Sequence, residues 1–180
     1  MKIIPNVFSF FRIVVTFGLV LGMMKNIISF SSFLILSILI LLSDFLDGKL
    51  ARKLKAESVF GAKLDIFADL LYIVSCTSIL VFQDILHIKI LICILFEFGI
   101  FIITSKKVKK ENNKVFYFDL LGRLLAGFFY ILPVFAMVVY NCFGKMIIID
   151  LVEWTCIFAT VIVVMERIYL VKRNFIINKG

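Results

Sequence analysis

The chain alternates long apolar blocks with short polar breaks. The blocks run over about 6–24, 28–51, 62–83, 86–105, 119–141 and 147–170. Each has roughly 18–25 residues, enough for a helix to cross a hydrocarbon core of ~30 Å. A helix satisfies its own backbone hydrogen bonds, which suits it to lipid. Six blocks therefore predict six transmembrane helices. The breaks Met24–Ser29, Gln83–Ile88 and Asn141–Lys145 are short, which predicts antiparallel neighbours in one bundle. The break Ser105–Phe118 is longer and basic (SKKVKKENNKVFYF), and predicts a short interfacial helix or a loop. Neither an internal repeat nor a Pro/Gly/Ser-rich linker divides the sequence. Residues 1–180 read as a single membrane domain, an all-α polytopic bundle.

Composition agrees. The apolar fraction is 63%, against about 45–50% in soluble domains. Charge then adds orientation. The net charge is +8, and of the 20 Lys and Arg only Lys25, Lys89 and Lys145 fall in the first, third and fifth connections. The rest lie at the termini, in the second and fourth connections or at nearby helix ends. This bias places both termini and the even connections in the cytoplasm. The basic face also suits anionic headgroups or phosphorylated substrates. No soluble basic domain exists to bind nucleic acid. The first block starts almost at once after Met1 and Lys2, contains Arg12 and lacks a clear small-residue cleavage site, so it reads as a retained span. Cys76, Cys93, Cys142 and Cys156 stand singly within blocks, without metal or disulfide spacing, and read as packing. His87 is alone in an outer connection and receives no role.

Chemistry concentrates in Asp44–Asp69, DFLDGKLARKLKAESVFGAKLDIFAD. Ionisable groups at the edge of apolar spans are costly and mark functional sites. At ~100° per residue, Asp44, Asp47, Gly48 and Ala51 share one helical stripe. Gly61, Asp65 and Asp69, spaced by four, form a second stripe that Cys76 continues. Small residues let a ligand approach closely. Arg52 supplies a forked, permanently charged donor for phosphate oxygens. Facing stripes would converge four carboxylates without His or Cys. Such an oxygen-only set suits Mg²⁺, Mn²⁺ or Ca²⁺, and two cations could bridge a diphosphate. The bland alternative is a solvated charge cluster with Lys49, Lys53, Lys55 and Lys63. It leaves unexplained why Asp44, Asp65 and Asp69 are embedded in apolar sequence.

The pattern D-x2-D-G-x2-A-R-x8-G-x3-D-x3-D resembles the signature of the CDP-alcohol phosphatidyltransferases. It is matched at Asp44, Asp47, Gly48, Ala51, Arg52, Gly61, Asp65 and Asp69. The opening Pro5-Asn6-x-x-Ser9-x-x-Arg12 is similar to that family's common start, and the six-span plan extends the likeness to most of the chain. The resemblance implies that Asp44, Asp47, Asp65 and Asp69 hold two Mg²⁺ or Mn²⁺ ions. It implies that Asp69 is also the general base on the acceptor hydroxyl. Asn6, Gly48, Ala51, Arg52 and Gly61 would border the nucleotide and diphosphate. The implied reaction is attack of an alcohol on the lipid-side phosphorus of CDP-diacylglycerol, expelling CMP. A homodimer in the cytoplasmic membrane, with its site open to the cytoplasm, is likewise implied.

The acceptor is less sharply written. Many phosphatidylglycerophosphate synthases read L-D-x-x-A-D-K, and this chain has Leu70 where they have Lys. The S-F-G-x-A-P run of many bacterial phosphatidylserine synthases is also replaced, by Leu71-Tyr72-Ile73-Val74-Ser75. Lys106, Lys107 and Arg123 are candidate acceptor groups, since a phosphorylated alcohol needs cations. Lys109 and Lys110 extend the run, whose bland reading is topology. Glycerol 3-phosphate is narrowly favoured over serine, inositol phosphate or a lipid acceptor. Glu97, in mid-span, is expected to hydrogen-bond into the bundle or touch a polar headgroup. Glu153 and Glu166 are weaker cases, and Trp154 reads as packing or interface anchoring. A divalent-cation transporter is the alternative of another class. It would need polar groups through the membrane depth, whereas these aspartates cluster on one side.

Overall fold

The computed structural model is all-helical over the residues it describes, 4–54, 59–112, 120–144 and 146–177, with side chains described for 7–44, 60–105, 120–144 and 147–170. Six helices follow one another: α1 (Ile4–Met24), α2 (Phe30–Leu54), α3 (Val59–Phe82), α4 (Ile88–Asn112), α5 (Leu120–Phe143) and α6 (Met146–Ile177). Their boundaries carry local chemistry. Ser29 caps α2, its Oγ accepting from the Ser32 N–H at 3.3 Å. The turns after α1, α3 and α5 each contain one left-handed residue, Asn26, Asp84 and Gly144. These types tolerate positive φ. Reversing the chain there lets Ile27 N–H reach Gly22 O, and Ile85 N–H reach Leu80 O, both at 2.9 Å. Carbonyls at the helix ends are thereby satisfied.

Short turns make the helices antiparallel neighbours. α3 packs against α1, α4 and α5, α1 packs on α2, and α6 rests on α4 and α5. The core runs along α3 through Tyr72, Cys76 and Leu80, met by Leu19, Phe33, Ile90 and Phe129. Tyr72 and Tyr130 stack tilted, with ring centroids 4.9 Å apart. Outside, large apolar side chains face outward all round, among them Phe10, Phe17, Leu124, Phe158 and Met165, with Phe82 90% exposed. A surface of this kind belongs in lipid. Among the described residues, five helices are long and apolar enough to cross a membrane. Within the described side chains of α2 the apolar stretch is Phe30–Asp44. The chain is a multi-pass membrane protein.

The basic segment expected as an interfacial helix or loop is partly a continuation of α4, which runs through it to Asn112. Lys, Glu and Asn tolerate helix, so the end of an apolar block need not end the element. His87 also gains a role that sequence spacing did not suggest. At the bundle end opposite the Asp44–Asp69 motif, fully buried Glu153 of α6 accepts from the His87 backbone N–H at 2.7 Å. The His87 ring Nδ1 lies 2.9 Å from its other oxygen, and Lys89 Nζ lies 3.3 Å from that oxygen. Glu153 thus fastens the start of α4 to α6. Lys89 also covers the exposed Trp154 ring, at 4.7 Å. Glu153→Ala is expected to lower stability by about 1–3 kcal/mol by stranding these donors. Thermal unfolding in nanodiscs checks this, and an unchanged midpoint would refute the clamp.

Candidate functional site

α3 opens with Gly61 in its first turn, and Asp65 and Asp69 follow at four-residue intervals on the same stripe. α2 carries Asp44 in the C-terminal half of the helix. Because α1 packs on both helices, the α1 side chains Ser9 and Arg12 are carried between them. Asp44, Asp65 and Asp69 converge, with one carboxylate oxygen of each lying within 4.8 Å of the others. Arg12, fully buried, sits in their midst. Its Nη2 lies 3.0 Å from Asp44 Oδ1. Its Nη1 donates to Asp65 Oδ1 at 3.0 Å and also to Asp69 Oδ1. Ser9 Oγ reaches Asp65 Oδ1 at 3.5 Å.

The electrostatics are unbalanced. Among the described residues, one guanidinium offers a single positive charge to three carboxylates, a formal excess of two negative charges. Carboxylates packed this closely repel unless cations join them. An all-oxygen donor set fits a hard divalent ion such as Mg²⁺ or Mn²⁺.

Of the other residues singled out from sequence, Asp47, Gly48, Ala51 and Arg52 lie in the last turns of α2 and Asn6 in the first turn of α1. Lys106 and Lys107 lie on the C-terminal part of α4. The side chains of these seven are outside the described residues. Arg123, on the first turn of α5, is brought to the site by a cavity of ≈ 160 Å³ that runs from Asp69 to Arg123 and Arg167. Its walls are mainly apolar, including Ile66, Leu70, Phe98 and Phe129. Asp44 and Asp65 do not line it.

Arg167 is the functional candidate that sequence reasoning missed. It is buried on α6, pairs with buried Glu97 of α4 through Nη1 at 3.0 Å, and lies over the Phe101 ring at 5.2 Å. The hydrogen bond expected of Glu97 within the bundle is therefore made. The available signal was an Arg inside an apolar run, VVMERIYL, the same signal that Arg12 gives in FSFFRIVV.

The family model described as CDP-alcohol phosphatidyltransferase matches residues 2–165, a stretch containing all three aspartates, Arg12 and Arg123. No curated protein matches the chain.

Proposed function

From the premise that the chain belongs to the CDP-alcohol phosphatidyltransferase family, a class of transferases in phospholipid synthesis, we propose that it moves the phosphatidyl group of CDP-diacylglycerol onto a small phosphorylated alcohol, with release of CMP. The convergence of Asp44, Asp65 and Asp69 within 4.8 Å, at one end of an apolar bundle, carries this conclusion. These residues, with Asp47, would hold two Mg²⁺ or Mn²⁺ ions, which would neutralise the diphosphate and stabilise charge on the entering and leaving oxygens. Asn6, Gly48, Ala51, Arg52 and Gly61 would border the nucleotide.

Asp69 is the one carboxylate of the described three that also lines the cavity, which supports its role as base. An acceptor in the cavity would present its hydroxyl to Asp69. The hydroxyl oxygen forms a bond to the lipid-side phosphorus, the bridging P–O bond to CMP breaks, and the proton passes to Asp69. Positioning of the hydroxyl must do much of the work, since a carboxylate is a weak base. The cavity has the room of several water molecules at ~30 Å³ each, suited to a small head group. At its far side Arg123 and Arg167 would receive a phosphate, with Lys106 and Lys107 nearby in sequence on α4. Glu97 fixes the Arg167 guanidinium, so its direction is set before the acceptor arrives.

Glycerol 3-phosphate is the favoured acceptor. A polar nucleotide would come from the cytoplasm and the lipid laterally from the bilayer, consistent with the basic end facing the cytoplasm. The protein would act as a homodimer, and a fully active monomer in nanodiscs would contradict that.

An acceptor panel of glycerol 3-phosphate, inositol 1-phosphate and serine tests the substrate class. Product is expected with a phosphorylated alcohol, and product from serine alone would refute the assignment. With the phosphorylated acceptor, Arg123→Ala should raise its KM by roughly tenfold, equivalent to about 1.4 kcal/mol. The KM for CDP-diacylglycerol should stay unchanged. Equal rises in both would remove Arg123 from the acceptor subsite.

A further inference from the structure

Arg12 is the largest fully buried side chain described in the protein, and its surroundings are unusual for a structural arginine. An ordinary buried ion pair sets a cation against an anion, as at the contact of Arg167 with Glu97. Arg12 instead touches three carboxylates from two helices, each through Oδ1. Removal of a guanidinium from water is costly and needs such partners. Among the described residues Arg12 is the cation these aspartates share, and a divalent ion would bring twice the charge in a more compact form. The oxygens that Arg12 engages belong to the same three residues whose donor set fits that ion.

We propose that Arg12 and divalent metal are alternative occupants of the aspartate cage: the guanidinium holds Asp44, Asp65 and Asp69 together until metal takes their oxygens, so that metal loading and release of Arg12 are one exchange. The inference rests on the metal reading given under Proposed function. It assigns Arg12 a positioning role, keeping like charges from three turns of two helices in register for the ion that follows. It also makes the apparent metal affinity lower than the intrinsic affinity of the cage, because the competent form is only a fraction of the population. If the guanidinium holds the cage about nine-tenths of the time, its removal tightens metal binding roughly tenfold. A lysine at this position keeps the charge but loses the fork that spans several carboxylates.

The test is Mn²⁺ binding to the purified full-length protein in nanodiscs, followed by the electron paramagnetic resonance of free Mn²⁺. Arg12→Gln should bind Mn²⁺ roughly tenfold more tightly than wild type, and Arg12→Lys should fall between them. The thermal midpoint of Arg12→Gln should drop in EDTA and rise more on Mn²⁺ addition than that of wild type. Mn²⁺ binding that is unchanged or weaker in Arg12→Gln would overturn the exchange and make Arg12 a fixed support. Absence of Mn²⁺ binding to wild type would overturn the metal reading and the exchange together. A measurement on wild type keeps the proposal falsifiable should the variants not fold. With ¹⁵N-labelled arginine and ¹³C-labelled aspartate, the solid-state dipolar contact between guanidinium and carboxylate should be present in EDTA and fall on saturation with Mg²⁺. A contact that persists unchanged at saturation would refute it.

Discussion

Asp69→Asn is expected to slow phosphatidyl transfer by ~10²–10⁴-fold, the range a general base contributes, while CDP-diacylglycerol binding changes little. The amide preserves size and one oxygen but cannot take the acceptor proton. The position makes the effect specific. Asp69 lies one turn beyond Asp65, shares Arg12 with it, and alone among the three described aspartates opens onto the cavity shared with Arg123 and Arg167. The loss should therefore appear in kcat, not in the KM for the CDP-lipid. Single-turnover CMP release with preloaded substrate separates these effects. Wild-type turnover in the variant would remove the base assignment, and collapse of CDP-lipid binding would show that the ligand role of Asp69 outweighs its role as base.

Asp44→Asn and Asp65→Asn are expected to have the largest effects, with metal binding and turnover lost together. Even residues that only support metal ligands cost ~10–100-fold when changed, so removing a direct ligand should leave less than about 1% of activity. Asp44 is the described carboxylate that α2 supplies, and Asp65 stands beside it across the helix pair. Neither lines the cavity proposed for the acceptor, so the loss is expected to leave acceptor binding unchanged. Mn²⁺ titration of each variant beside its turnover checks the prediction. Full metal binding with dead turnover would show that these aspartates act otherwise than as ligands.

The helices and the aspartates were legible because both signals are local. Apolar blocks set the six helices, and four-residue spacing put Gly61, Asp65 and Asp69 on one stripe of α3. Periodicity gives a stripe but not the helix that faces it. Arg12 lies 53 residues from Asp65, and Arg167 lies 70 from Glu97. Those pairings exist because α1 packs on α3 and α6 on α4, a choice made by side-chain fit across the bundle. The clamp of His87 on Glu153 was hidden for the same reason: a single His in a short turn is uninformative until α6 lies beside it. The extent of α4 was missed on different grounds. Its apolar block ends near Ser105 but its helix continues to Asn112, since hydropathy marks where lipid ends, not where backbone hydrogen bonding does.

The most direct test of the account uses purified protein in nanodiscs with CDP-diacylglycerol labelled in both the cytidine and the lipid. Glycerol 3-phosphate and Mg²⁺ or Mn²⁺ complete the reaction. CMP and the new phosphatidyl product should appear together, one for one, and both should vanish in excess EDTA and in Asp65→Asn. CMP release that continues undiminished in EDTA, or in the absence of these aspartate carboxylates, would contradict the assignment of the Asp44–Asp65–Asp69 cluster as a metal-dependent transferase site.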